Sequence, residues 1–126
     1  MKTGAMPRPS RAEAETRGRR AEARVAERLS SEGWQILQQR YRSGGGEIDL
    51  IAERDRLLIF IEVKQRATLA AAAGALTPRQ QARLWAAAEI WLAAHPGHGA
   101  AGMRFDVIVV DGAGAMRRIR DVIRAS

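Results

Sequence analysis

GEIDLIAERDRLLIFIEVKQR, residues 46–66, carries the strongest strand signal in the chain. Its second half alternates on both sides. Leu57, Ile59, Ile61 and Val63 fall on one face, and Leu58 and Phe60 on the other. A strand that is apolar on both faces is a central strand, covered from above and below. Residues 47–53 form a second strand, and the short turn Arg54-Asp55 closes the two into a hairpin.

On the N-terminal side of this hairpin, Ser43 to Gly46 is expected to be a flexible turn. Residues 34–42 form a polar edge strand, with Trp34, Ile36 and Gln38 on one side. Residues 12–31 are helical, with Val25, Ala26 and Leu29 as the apolar face and Gly33 as the stop. Residues 1–11 contain two prolines and no periodicity, and are expected to be a disordered tail.

Toward the C-terminus, the alanine-rich run 67–76 fits either a loop or part of a helix, and either a lid or a linker. Thr77-Pro78-Arg79-Gln80 is a clear helix start, with Thr77 as cap, Pro78 in the first turn and Gln80 completing a capping box. That helix runs to about residue 94 on a core stripe of Leu84, Ala88, Trp91 and Leu92, and His95-Pro96-Gly97 ends it. Residues 103–110 are a fourth strand, and 116–125 a short strand, a short helix or both. The order α-β-β-β-α-β predicts an α/β (α+β mixed) fold, a single domain over residues 12–126 with a mixed sheet flanked by two helices.

The chain has 126 residues and a mass of 13.8 kDa, which is one domain. No apolar run approaches the roughly 18 residues of a membrane span, and no secretory signal is visible, so a cytoplasmic location away from membranes is expected. The absence of cysteine excludes disulfides, thiolate metal sites and thiol nucleophiles. Net charge is +7, with 19 of the 21 basic residues being Arg. Residues 1–46 hold ten basic and five acidic groups, and residues 47–126 hold eleven and nine. A basic single domain favours polyanionic partners, nucleic acid first.

Four residues are oddly placed for a plain core. Glu62 and Lys64 end the most apolar strand and, two residues apart, share a face with about 7 Å between them along the strand. Burying such charges is costly unless they pair or bind an ion. Asp49 lies on the neighbouring strand, opposite residues 60–62 across the hairpin, with Glu47 on its face. Glu22 shares the helix face of Val25, Ala26 and Leu29, so it points inward. Two readings fit. One is a structural Glu62–Lys64 ion pair. The other is an oxygen-ligand site for Mg²⁺ or Mn²⁺, with Lys64 orienting water or stabilising charge on a phosphate. Outside the first few residues, position 64 alone carries Lys where every other basic position is Arg, and the two are not interchangeable where a compact point charge is needed.

GEIDLI at 46–51, FIEVKQR at 60–66 and RFDV at 104–107 closely resemble the YraN-like bacterial proteins, from about Gly18 to Val110. That family resembles part of the PD-(D/E)XK nuclease superfamily, akin to archaeal Holliday-junction resolvases. The resemblance implies an αβββαβ restriction-endonuclease-like core and a Mg²⁺- or Mn²⁺-dependent endonuclease. It implies Asp49 and Glu62 as direct metal ligands, Glu22 acting directly or through water, and Lys64 as base or orienter, with Gln65, Arg66 and Glu47 in support. Arg19, Arg20, Arg42, Arg66, Arg79 and Arg83 are the expected nucleic-acid contacts. DNA is favoured over RNA, and branched DNA by analogy. Two cuts across a duplex would suit a dimer. The rival is a module of the same fold that holds nucleic acid without efficient cleavage. The chain departs from the family pattern at Ala21 (usually Gly), Arg40 (commonly Asn) and Gln80 (often Lys). Arg79 or Arg83 could substitute for that Lys.

Other residues are expected to be structural. His95 and His98 are read as solvent-exposed loop residues, Asp106 beside Arg104 as a core partner, Trp91 as core, and Tyr41 as packing.

Overall fold

The computed structural model describes residues 10–72 and 76–123. Its elements are α1 (Arg11–Ser31), β1 (Gln35–Ser43), β2 (Gly46–Arg54), β3 (Leu57–Gln65), a short 3₁₀ turn (Leu69–Ala72), α2 (Pro78–Ala94), β4 (Met103–Val110) and β5 (Met116–Ile119). The five strands lie in chain order in one sheet. All neighbours are antiparallel except β3 and β4, which run parallel and are joined through α2. The expected α-β-β-β-α-β order is present, extended by β5 as an edge strand. Of the expected tail, residues 1–9 lie outside the described residues. Ser10 caps α1 by accepting the Glu13 N–H, so the helix starts at Arg11.

The double-sided pattern of β3 makes the fold three-layered. Ile59 and Ile61 pack with Leu50 and Ile108 against Val25 and Leu29 of α1. Leu58 and Phe60 pack on the opposite face with Ile51 and Phe105, against Leu84 and Trp91 of α2. Each such side chain, taken fully from water, contributes about 1.5–3 kcal/mol. Phe60 stands edge-on to Trp91 and stacks on Phe105, and Trp85 also stacks on Phe105. The capping box of α2 is formed as the sequence indicates, with Gln80 N–H to Thr77 Oγ1 at 3.2 Å and Thr77 N–H to Gln80 Oε1 at 3.0 Å.

Four local expectations need correction. The β2–β3 turn is Asp55-Arg56, not Arg54-Asp55; both residues have positive φ, 51° and 67°, the backbone of a tight hairpin turn matched to strand twist. The segment at Ser43–Gly46 is not simply flexible. Gly46 is buried, and a Cβ there would meet the Arg83 carbonyl oxygen at 2.3 Å, so α2 sits directly on this backbone. Gln38 does not share the side of Trp34 and Ile36. A register shift between Ile36 and Gln38 turns it to the α2 face, where its Oε1 accepts the Trp91 indole N–H at 2.9 Å.

His95 and His98 are half-buried, not solvent-exposed. His95 caps α2 and stacks on Trp91 at 4.0 Å between ring centroids. His98 Nδ1 lies 2.9 Å from Glu53, whose carboxylate also accepts the Gly99 N–H at 2.9 Å. Burial pushes the Glu53 carboxyl up, but the bonds from Gly99 and His98 outweigh it and hold it below the usual carboxylate range. Asp106, fully buried, takes a two-pronged pair from Arg104 at 2.8 and 2.9 Å, the structural role expected of it.

Candidate functional site

The β2–β3 ladder is regular from Arg54↔Leu57 to Leu50↔Ile61. The next residues along are Asp49 and Glu62. There the Val63 N–H donates to the Asp49 carboxylate at 2.7 Å. On the other side of β2, Asp49 lies between the Tyr41↔Ile48 and Gln39↔Leu50 pairs, level with Arg40, whose φ is +52°. Alternation breaks at this point, since Ile48 packs on the α2 side and Leu50 on the α1 side although they are two apart. The strands separate where their apolar run ends, and charged side chains occupy the opening.

The structure brings Lys64 Nζ to 3.5 Å from Glu62 Oε1, with the side chains 11% and 21% exposed. Both charges are therefore largely out of water, as their place at the end of β3 indicated. Glu22, on the inward side of α1, is 15% exposed and pairs with Arg40 at 3.8 Å. Burial pushes the Glu62 carboxyl up to about 7, and the charge of Asp49 adds to this against the opposing pull of Lys64. Burial also raises Asp49, opposed by the Val63 N–H and reinforced by Glu47. Glu22 is raised by burial and then by Asp49, with Arg40 working the other way. These carboxylates feel one another's charge, and the nearby cations do not fully compensate.

The set is of hard oxygen donors, which suits Mg²⁺ or Mn²⁺ and not a soft metal. Among the described residues, no three acidic or histidine side chains stand close enough together to hold an ion as they are placed. Asp49 and Glu62 are the adjoining pair, and Glu22, on α1, is near enough to feel the charge of Asp49.

The remaining sequence-predicted residues divide. Glu47 is exposed and pairs with Arg42 at 3.5 Å at the outer end of the β1–β2 hairpin. Arg19 is exposed, and its charge is felt by Glu22. Gln65, Arg66 and Arg20 line one cleft beside α1. Arg79 and Arg83 are exposed on α2, across the sheet from that cleft. Arg40 was not expected at the site. Its signal in the sequence was its departure from the commonly found Asn, a residue that tolerates the positive φ seen here.

A mixed five-stranded sheet between two helices, with a half-buried carboxylate–lysine cluster where its central strands part, defines a small α/β domain. The chain belongs to the family described as uncharacterised protein family UPF0102, whose model matches residues 21–110. That span contains all four clustered residues. The chain is 56% identical over 107 residues to a UPF0102 protein of Granulibacter bethesdensis, covering 85% of this chain and 68% of that one. It is 48% identical over 109 residues to a UPF0102 protein of Rhodopseudomonas palustris, covering 86% and 85%. It is 48% identical over 110 residues to one of Bradyrhizobium diazoefficiens, covering 85% and 83%. Among the described residues no helix is long and apolar enough to cross a membrane.

Proposed function

We propose that this protein is a divalent-metal-dependent nuclease of the PD-(D/E)XK type, acting on nucleic-acid phosphodiesters, DNA before RNA. The observation that carries the reading is the Asp49–Glu62–Lys64 cluster at the parting of β2 and β3, with Lys64 Nζ 3.5 Å from Glu62. Asp49 and Glu62 would hold Mg²⁺ or Mn²⁺, with Glu22 acting directly or through water. A bound divalent cation supplies Lewis-acid polarisation of the phosphoryl oxygen and a more acidic water. Lys64, a compact cation held by Glu62 in a largely buried position, serves to orient the attacking water or to stabilise charge developing on the phosphate. The Val63 N–H fixes the Asp49 carboxylate. The basic surface retains the polyanionic substrate.

A second reading, the same fold binding nucleic acid without efficient cleavage, is favoured by one observation: no three donors are gathered among the described residues. Calorimetry with Mn²⁺ and Mg²⁺ on metal-stripped protein at low salt separates the two, in intact protein and in Asp49→Ala/Glu62→Ala. The nuclease reading expects binding that disappears in the double variant, and cleavage of junction, flap or single-stranded substrates that disappears with it. Absence of both metal binding and cleavage, even with an oligonucleotide present, leaves the binding module.

A further inference from the structure

We propose that the groove between α1 and the β4–β5 turn holds the sugar–phosphate backbone of a nucleic-acid strand. This rests on the nucleic-acid reading above and names the surface that meets the strand. The groove encloses about 650 Å³. One wall is α1, which presents Arg17, Arg20 and Arg24 at intervals of three and four residues, one side of a helix. Arg66, just past the end of β3, also lines it, its Nη1 donating to the Gln65 carbonyl at 2.7 Å.

Among the described residues, the side chains of Arg17, Arg20 and Arg24 make no hydrogen bond or ion pair. Asp111 lies in the opposite wall, but its Oδ1 accepts the N–H groups of Ala113 and Ala115, both at 2.9 Å, and is committed to the turn. Gly114 completes that turn with φ +86°, and a Cβ there would meet the Arg24 guanidinium at 2.8 Å. The turn thus leaves room for the arginine. The row continues. Arg28, four residues further along α1, lines a second cleft of about 210 Å³ with Arg118 and Arg120. Arg118 is tied to Glu32 at 2.8 Å, while the side chains of Arg28 and Arg120 have no hydrogen-bond or ion-pair partner among the described residues.

The dimensions favour a polymer over a single phosphate. Arg17 to Arg28 spans about 16 Å of helix rise, over which one strand of a duplex presents about five phosphates. Guanidinium groups match phosphate oxygens two at a time. Among the described residues lining the two clefts none is aromatic, so the surface offers charge and no stacking platform. Contacts of that kind position a strand without reading its sequence. Of the groove's lining, Gln65 follows Lys64 in the chain and Ala21 precedes Glu22.

The test is binding of fluorescein-labelled 20-residue oligonucleotides, single-stranded and duplex, as a function of salt. Arg17→Ala/Arg24→Ala is compared with the charge-matched Arg56→Asn/Arg117→Ala, two exposed arginines outside both clefts, and with Asp49→Ala/Glu62→Ala. Arg56→Asn keeps a residue suited to positive φ, and Ala on an exposed helix face keeps the helix. Loss of the groove pair weakens binding at least about tenfold and reduces the slope of log K against log salt by about 1–2, equally for unrelated sequences. The control pair changes affinity less than about threefold. Retained binding by the carboxylate variant, whatever its cleavage, supports the groove independently of the metal centre. The inference is overturned if the control pair weakens binding as much as the groove pair. It is also overturned if poly-glutamate competes as well as oligonucleotide, or if the intact protein binds no oligonucleotide.

Discussion

Asp49 accepts the backbone N–H of Val63 at 2.7 Å, just past the last rung of the β2–β3 ladder. A side chain thus replaces a main-chain partner. The β3 backbone stays satisfied while the strands separate, and the space between them is given to Glu62 and Lys64. Holding two carboxylates and an ammonium group in that opening opposes folding, because each charge loses water and Asp49 and Glu62 repel. Such tension between stability and charge placement is common at functional sites.

The tension is measurable through pH. Glu62 holds its proton up to about pH 7 when folded, against 4.5 for the ordinary side chain. Between those values the folded chain binds more protons than the unfolded one, so stability falls as pH rises. The contribution is complete below pH 4.5 and lost through pH 7, on the order of 3 kcal/mol in all. Glu62→Gln should be flatter across that window when followed by urea unfolding, and relatively more stable than the parent at pH 8. Parallel curves for the two proteins would refute the burial of a charge at this position.

Gly46 tests the support beneath the site. A Cβ there stands 2.3 Å from the Arg83 carbonyl oxygen, and backbone on both sides cannot yield cheaply. Gly46→Ala should cost about 1–3 kcal/mol by forcing α2 away from β2. Gly44→Ala, two residues earlier with open space around it, should change stability by less than about 0.5 kcal/mol. Thermal or urea unfolding of the two variants decides the matter. Equal effects would mean that the close approach of α2 is not what holds this glycine.

Such contacts mark where the sequence stops being legible. The double-sided burial of β3, the capping box at Thr77 and Gln80, and the shared neighbourhood of Asp49, Glu62 and Lys64 follow from periods of two and 3.6 and from short turns. They are local consequences of local spacing. The Gly46–Arg83 approach joins positions far apart in the chain, and a glycine beside two others reads as flexibility. Gln38 reaches Trp91 only because a bulge turns it over, and period-two alternation assigns it to the wrong face. His98 finds Glu53 through a loop whose path no periodicity encodes. The arginines of α1 are at visible helical spacing, but which side of the sheet they share with the β4–β5 turn depends on β5.

Asp106 predicts a different kind of loss. It is fully buried, takes both prongs of Arg104, and accepts the Asp121 N–H at 3.0 Å. Asp106→Ala leaves a largely buried guanidinium without its counter-charge and should cost about 3–5 kcal/mol. Arg104→Ala/Asp106→Ala should be less damaging than Asp106→Ala alone, since no charge is then stranded. A double-mutant cycle from urea unfolding measures this. A single-variant loss below about 1 kcal/mol would contradict a structural role for the pair.

Arg40 couples backbone strain to the charged centre. Its φ of +52° is unfavourable for a long side chain and natural for Asn, while its guanidinium lies 3.8 Å from Glu22. Arg40→Asn relieves the backbone, by about 1 kcal/mol, and removes a pair that is partly exposed and worth at most about 1 kcal/mol. The two effects separate with pH. Glu22 is raised by burial and by Asp49, and Arg40 is among the groups that hold it down. Toward acid pH Glu22, its carboxyl raised, takes up a proton sooner than an ordinary side chain would, and the substitution should show its backbone gain. As pH rises and Glu22 gives up that proton, the variant lacks the Arg40 charge that offsets it, and the gain should shrink or vanish. Unfolding free energies of parent and variant at pH 4 and pH 8 test both parts. A gain at pH 8 equal to that at pH 4 would show that Arg40 does not act on Glu22, and a loss at both would show that its backbone is not strained.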